Sequence, residues 1–114
     1  MKLITINPAS GREIEEYESQ DTIIQRVAHL NQEAHLRWIW IQPGGRIGRH
    51  PAANQQLFIV IQGDGWVEGE DREPERIFSG QAALWQAGEQ HQAYSKFGME
   101  AIVIESPSLQ LAIQ

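Results

Sequence analysis

The chain has 114 residues and no cysteine, which fits one domain and excludes disulfides, thiolate metal sites and a cysteine nucleophile. Its formal net charge is -6 and its pI about 5.1, and no lysine or arginine cluster offers the basic surface that nucleic acid requires. The longest apolar run, "LFIVI" at 57–61, is far too short to span a membrane, and the start has no long apolar leader. A cytoplasmic protein with neither nucleic-acid nor membrane partner is expected.

The chain opens with a short candidate strand, "LITI" at 3–6, followed by a polar and acidic arm through "ASGREIEEYES", where a short helix over 13–17 is weakly signalled. The rest reads as strand upon strand. "TIIQRVAHL" (22–30) and "AHLRWIWIQ" (34–42) flank the polar "NQE" and are predicted to form a hairpin. "PGG" at 43–45 breaks the second strand. "QQLFIVIQ" runs into Gly63-Asp64-Gly65, read as a tight turn, and returns as "WVEGE". "GEDREPE" reads as a charged hairpin tip, and "RIF", "AALW", "HQAYS" and "MEAIVIE" complete the set between Gly80, Gly88 and Gly98. Short strands at such regular spacing predict an all-β barrel or sandwich.

Side chains alternate across a strand, so parity sorts the faces. Leu36, Trp38 and Trp40 share one face, and Arg37, Ile39 and Ile41 the other. Phe58 and Val60 oppose Leu57, Ile59 and Ile61. Both strands are apolar on both sides, so their outer faces need a cover, from the same chain or from a second copy. Parity leaves open whether Trp38 and Trp40 point inward or outward. Of the four tryptophans, Trp38, Trp40, Trp66 and Trp85, at least two are expected in packing rather than in a pocket.

The parity from 50 to 60 gives His50, Ala52, Asn54, Gln56, Phe58 and Val60, polar at one end and apolar at the other. This is how a polar site stands at the mouth of a barrel with an apolar floor. Glu89, His91, Ala93 and Ser95 repeat the arrangement just after Gly88. His29 and His35 flank the polar turn near Asn31 and read as surface residues. Arg46 and Arg49 border the His50 loop and read as solvated side chains, although an anionic ligand would lie within their reach.

These residues fall into two spaced motifs. Gly44, His50, Ala52, Gln56 and Gly63 resemble the first motif of the cupins, and Gly80 with Gln86, Gly88, His91 and Ser95 resembles the second. The resemblance implies a double-stranded β-helix, a jelly-roll barrel of two antiparallel sheets around a central pocket. It covers residues 36–105, leaving 1–35 as an arm with first strands packed on the barrel and 106–114 as a C-terminal tail of the same domain.

The resemblance also implies a metal held by three histidines and a glutamate. Here His50 and His91 are kept, Ala52 stands at the position of another histidine, and Gln56 at that of the glutamate. Gln86 and Ser95 depart from the pattern at structural positions. The implied set for a divalent zinc, nickel, iron or manganese ion is therefore His50, Gln56 and His91, without the usual charge. Three readings follow. The first is a pocket for a small organic ligand built on His50, Gln56 and His91, with Asn54, Phe58, Val60 and Ser95 around it and catalysis left open. The second is a metal-dependent dioxygenase or isomerase with Glu89 as candidate base. The third is a non-catalytic interaction module. The strands that are apolar on both faces add the expectation of a homodimer.

Overall fold

The computed structural model describes residues 1–113 and contains twelve strands. In chain order they are β1 (Lys2–Thr5), β2 (Arg12–Glu13), β3 (Ile23–Ile24), β4 (Ala28–His29), β5 (His35–Ile41), β6 (Arg46–Pro51), β7 (Gln55–Glu68), β8 (Glu75–Phe78), β9 (Gln81–Trp85), β10 (Gln90–Tyr94), β11 (Met99–Ser106) and β12 (Gln110–Leu111). The only helical pieces among the described residues are two single turns in the acidic arm, Pro8–Ser10 and Glu16–Glu18. Among the described residues no helix is long and apolar enough to cross a membrane.

Eight of the strands form two antiparallel sheets that share β7, and β2–β3 and β4–β12 are separate pairs. The N-terminal part of β7 lies in the order β5-β11-β7-β9-β1, and its C-terminal part in the order β6-β10-β7-β8. The fold is an all-β, double-stranded β-helix. Between the sheets lies the larger core, with Phe58, Val60, Val67, Ile77, Trp85, Ala93, Met99, Ala101 and Val103 all buried. Phe58 meets Trp85 edge-on at 5.8 Å between ring centroids, a favoured geometry for aromatic quadrupoles.

Two expectations are corrected. Residues 22–30 and 34–42 do not form a hairpin. Instead β3 pairs with β2, β4 pairs with β12, and β5 pairs along all seven residues with β11. The apolar run "MEAIVIE" matches the length and alternation of β5, whereas "TIIQRVAHL" is interrupted by Gln25 and Arg26 and yields only two-residue strands. Gly63-Asp64-Gly65 is likewise no turn, because β7 runs straight through it. Across from β11, Glu100 faces Gln62 and Ala101 faces Val60, so Ile61 is an extra residue in the ladder. Such a bulge bends the strand and sharpens its twist, and just beyond it β7 leaves one sheet for the other. Gly63 takes φ +84 there, with the carbonyl of Gly98 occupying the place of a Cβ. The reversal lies further on, at 70–71 between β7 and β8, where the charged tip was expected.

Parity holds on both strands. Phe58 and Val60 face the interior with Ile39 and Ile41, while Leu36, Trp38 and Trp40 face out. The chain covers part of its own outer face. Ile4 of β1, the stretch 27–30, and Leu109, Leu111 and Ile113 of the tail pack over Leu57, Ile59, Ala82, Leu84 and Ile104. Leu36, Trp38, Trp40 and Ile61 stay exposed.

The bulge geometry predicts unequal costs for two glycine substitutions. Gly44→Ala meets nothing within 4 Å and carries only the strain of φ +80, about 1–2 kcal/mol. Gly63→Ala carries the same strain and also a collision with backbone, so it should lower the unfolding free energy by clearly more, roughly 3 kcal/mol or above. Urea denaturation of the two variants gives the comparison, and equal losses would contradict the corner role of Gly63.

Candidate functional site

His50 ends up beside His91 because β6 and β10 pair in a register that sets the two directly opposite. Their ring centroids are 4.4 Å apart, and the His91 ring in turn lies 4.4 Å from that of Trp85. His91 is buried, whereas His50 stands exposed at the rim. In the other sheet, β7 and β11 pair Gln56 with Glu105, and the Gln56 amide donates to Glu105 Oε2 at 2.8 Å. Arg37 of β5 reaches the same carboxylate at 3.9 Å. The four strands thus bring two polar pairs, one from each sheet, to the walls of one cavity.

The cavity has a volume of about 360 Å³. His50, His91, Gln56, Glu105 and Arg37 supply its polar surface, and Ile39, Ile47, Phe58, Trp85, Ala93 and Val103 its apolar walls. Glu105 and Arg37 escaped the sequence reading. A parity signal existed, since Glu105 continues the alternation of Ala101 and Val103, but only the pairing with β7 shows that this face points inward.

Several expected site residues lie elsewhere. Glu89 does not line the cavity. Its carboxylate accepts from the N-terminal ammonium at 2.6 Å and from the Gln86 backbone N–H at 2.9 Å. Burial works to raise its pKa, but the ammonium and the backbone donor outweigh this and hold it below the ordinary carboxylate range. A carboxylate so occupied is not placed as a base for the cavity. Ser95 is buried at a corner, donating to the Asp64 carbonyl and accepting from the Gly98 N–H. Val60 and Ala52 belong to the core beneath the cavity, and Asn54 lies outside its lining. Arg49 is no solvated side chain: it donates to the carbonyls of Gly69 and Glu70 and ties β6 to the hairpin tip. Arg46, His29 and His35 are exposed. Trp66 sits on the outer face of the second sheet under the Arg76 guanidinium.

No protein-family model matches the sequence, and neither does any curated protein. Solved structures do. An RmlC-like cupin from Shewanella frigidimarina aligns with a TM-score of 0.62 at 22% identity, over 69% of this chain and 70% of its own. A conserved protein with a double-stranded β-helix domain from Klebsiella pneumoniae aligns with a TM-score of 0.62 at 19% identity, over 84% of this chain and 89% of its own. An RmlC-like cupin family protein from Methanocaldococcus jannaschii gives a TM-score of 0.62 at 14% identity, over 86% and 89%. The chain has the cupin fold.

The metal that the cupin resemblance implies can be tested against the donors present. Among the described residues no group of three histidine, cysteine, aspartate or glutamate side chains could hold an ion. His50 and His91 contribute two imidazoles, Ala52 contributes a methyl packed in the core, and Gln56 brings no charge. The hydrogen bond to Glu105 gives a physical reason for glutamine at position 56. A glutamate there would set two carboxylates within hydrogen-bond distance across the β7–β11 pair, and like charges so close resist joint ionisation. The donor set of this site does not fit a resident divalent ion.

Each histidine ring is oriented by the backbone carbonyl two residues before it. His50 Nδ1 lies 2.7 Å from the Gly48 carbonyl, and His91 Nδ1 lies 3.1 Å from the Glu89 carbonyl. A carbonyl only accepts, so Nδ1 carries the proton in both rings, and in the neutral form Nε2 carries the lone pair. Burial pushes the His91 imidazole below the ordinary histidine range, against the opposing effect of the Glu89 carbonyl. A lowered folded pKa means that His91 stabilises the fold fully above the unfolded value of about 6.5, and that this contribution is lost as pH falls through the lowered folded value. Stability measured by thermal melts should therefore decline below about pH 6.5, and His91→Gln should flatten that decline. A wild-type melting temperature that rises on acidification across this window would contradict it.

Proposed function

We propose that this protein binds a small organic molecule in the cavity between its sheets, with His50, His91 and Gln56 at its polar end and Phe58 and Trp85 among its apolar walls. The observation that carries this reading is the convergence of two polar cross-strand pairs on one open, largely apolar cavity of about 360 Å³. That size lies in the range of small-molecule pockets, which combine apolar walls with a few placed polar groups. The metal-dependent reading lacks its donors. The cavity is open rather than occluded, which favours binding over a purely structural barrel.

A fragment screen by ligand-observed NMR tests the proposal. Hits should bind the wild type and be lost in Ile47→Trp, because Ile47 is a half-buried side chain of the cavity wall and an indole there fills the space. An Ile47→Trp protein that keeps its melting temperature and still binds the same fragments would overturn the site.

The partner most consistent with the outer surface is a second copy of this chain. β5 is an edge strand, hydrogen-bonded among the described residues only to β11. It exposes Leu36 at 64%, Trp38 at 46% and Trp40 at 61%. The two indoles stack at 6.1 Å, and Trp38 Nε1 is tied to Glu100 at 2.7 Å, so the patch is held in shape. A two-fold axis at Trp38 would set Leu36 of one copy against Trp40 of the other, making the patch its own complement. An open apolar edge strand left uncovered invites aggregation. Light scattering at micromolar concentration should report about twice 12.9 kDa, and Trp40→Lys should give a folded monomer. A wild-type monomer would refute the assembly.

A further inference from the structure

Hydrogen-bond polarity around the cavity narrows the ligand further, resting on the binding reading above. Both histidines direct Nδ1–H to the backbone carbonyl two residues before them. Nε2 of each ring has no protein partner among the described residues and is, in the neutral ring, an acceptor. Gln56 directs its amide N–H toward Glu105 Oε2, so its carbonyl oxygen is left to accept. Glu105 keeps its second oxygen, Oε1, without a hydrogen-bond donor from the protein. The cavity's polar end therefore presents four acceptors drawn from four side chains on four strands.

Donors are fewer, namely the second N–H of the Gln56 amide and the Arg37 guanidinium. Arg37 is the one cation in the lining, it is more than half exposed, and its guanidinium already lies 3.9 Å from Glu105. The indole N–H of Trp85 is closed off and has no partner, so it does not open onto the cavity. A carboxylate or phosphate entering this space would bring lone pairs against lone pairs and a negative charge beside Glu105. Burying an acceptor without a donor costs the desolvation of both groups. A hydroxyl or amine head brings the hydrogens that the four acceptors lack.

We infer that the cavity takes a ligand with an apolar body and a hydrogen-bond-donating head, a hydroxyl or an amine, and discriminates against carboxylates of the same shape. Specificity of this kind arises because a site built to pair one hydrogen-bonding pattern is left unpaired by the opposite one.

Three matched probes test it: benzyl alcohol, benzylamine and benzoate, which share a ring and differ in the head. Each is titrated at pH 7.5 into the ¹⁵N-labelled full chain, following the Trp85 indole and Gln56 side-chain amide signals. The alcohol or the amine should bind at least about ten-fold tighter than benzoate, and which of the two leads tells whether the Glu105 charge or its lone pair governs. Glu105→Gln, which replaces an acceptor-only group by one that can also donate, should narrow the gap. Benzoate binding as tightly as both others would overturn the head-group inference while leaving the pocket in place. No response of Trp85 or Gln56 to any probe would overturn the binding reading and this inference with it.

Discussion

The structure turns on one strand that belongs to both sheets. β7 pairs with β11 and β9 as far as Gly63 and with β8 and β10 from Asp64 onward. The extra residue at Ile61 and the left-handed backbone of Gly63 let the strand turn the corner without ending. Everything that makes a cavity follows from that continuity. The inner faces of the two sheets are held at barrel spacing, Phe58 and Val60 reach the same core as Val67, and Trp85 closes over them from β9. Were β7 to end at Gly63 as a hairpin, the first sheet would lose its tie to β10, and His91 with it.

The site is a consequence of register on either side of that corner. His50 and His91 oppose each other in one sheet, Gln56 and Glu105 in the other. Cross-strand neighbours are the closest contacts a sheet offers, and each pair sits where its inward face runs out of hydrophobes. Shifting either pairing by one residue would turn its members to the outer surface. The same rule explains why the polar groups cluster at the mouth rather than deeper, where Phe58, Ala93 and Val103 leave no unpaired polar atom to satisfy.

Outside the barrel, cover is uneven. The first sheet is apolar on both sides, and the chain spends its N-terminal strand, the 27–30 stretch and its tail on the half around Leu57 and Leu84. The half around Trp38 and Trp40 receives nothing from the described residues. This asymmetry connects the fold to its proposed assembly, because the uncovered half lies on the edge strand whose inner face supplies Arg37 and Ile39 to the cavity.

Local chemistry written along the chain determined a good deal. The resemblance to the cupins implied the two-sheet barrel and a common site for His50, Gln56 and His91, while alternation and turn spacing predicted an all-β barrel or sandwich and put Phe58 and Val60 together on one face. The alternation depends on the two-residue period of a strand, which any single stretch displays. What tertiary structure alone decided depends on partners distant in sequence. Gly63-Asp64-Gly65 has the composition of a turn and became a corner because two different sheets compete for the strand around it. Glu89 shares the parity of His91, yet an ammonium 88 positions away captures its carboxylate. Glu105 reads as the polar end of an apolar strand until its pairing with Gln56 sets it in the wall of the cavity. Parity distinguishes the two faces of a strand, but only the neighbouring strand says which of them is inside.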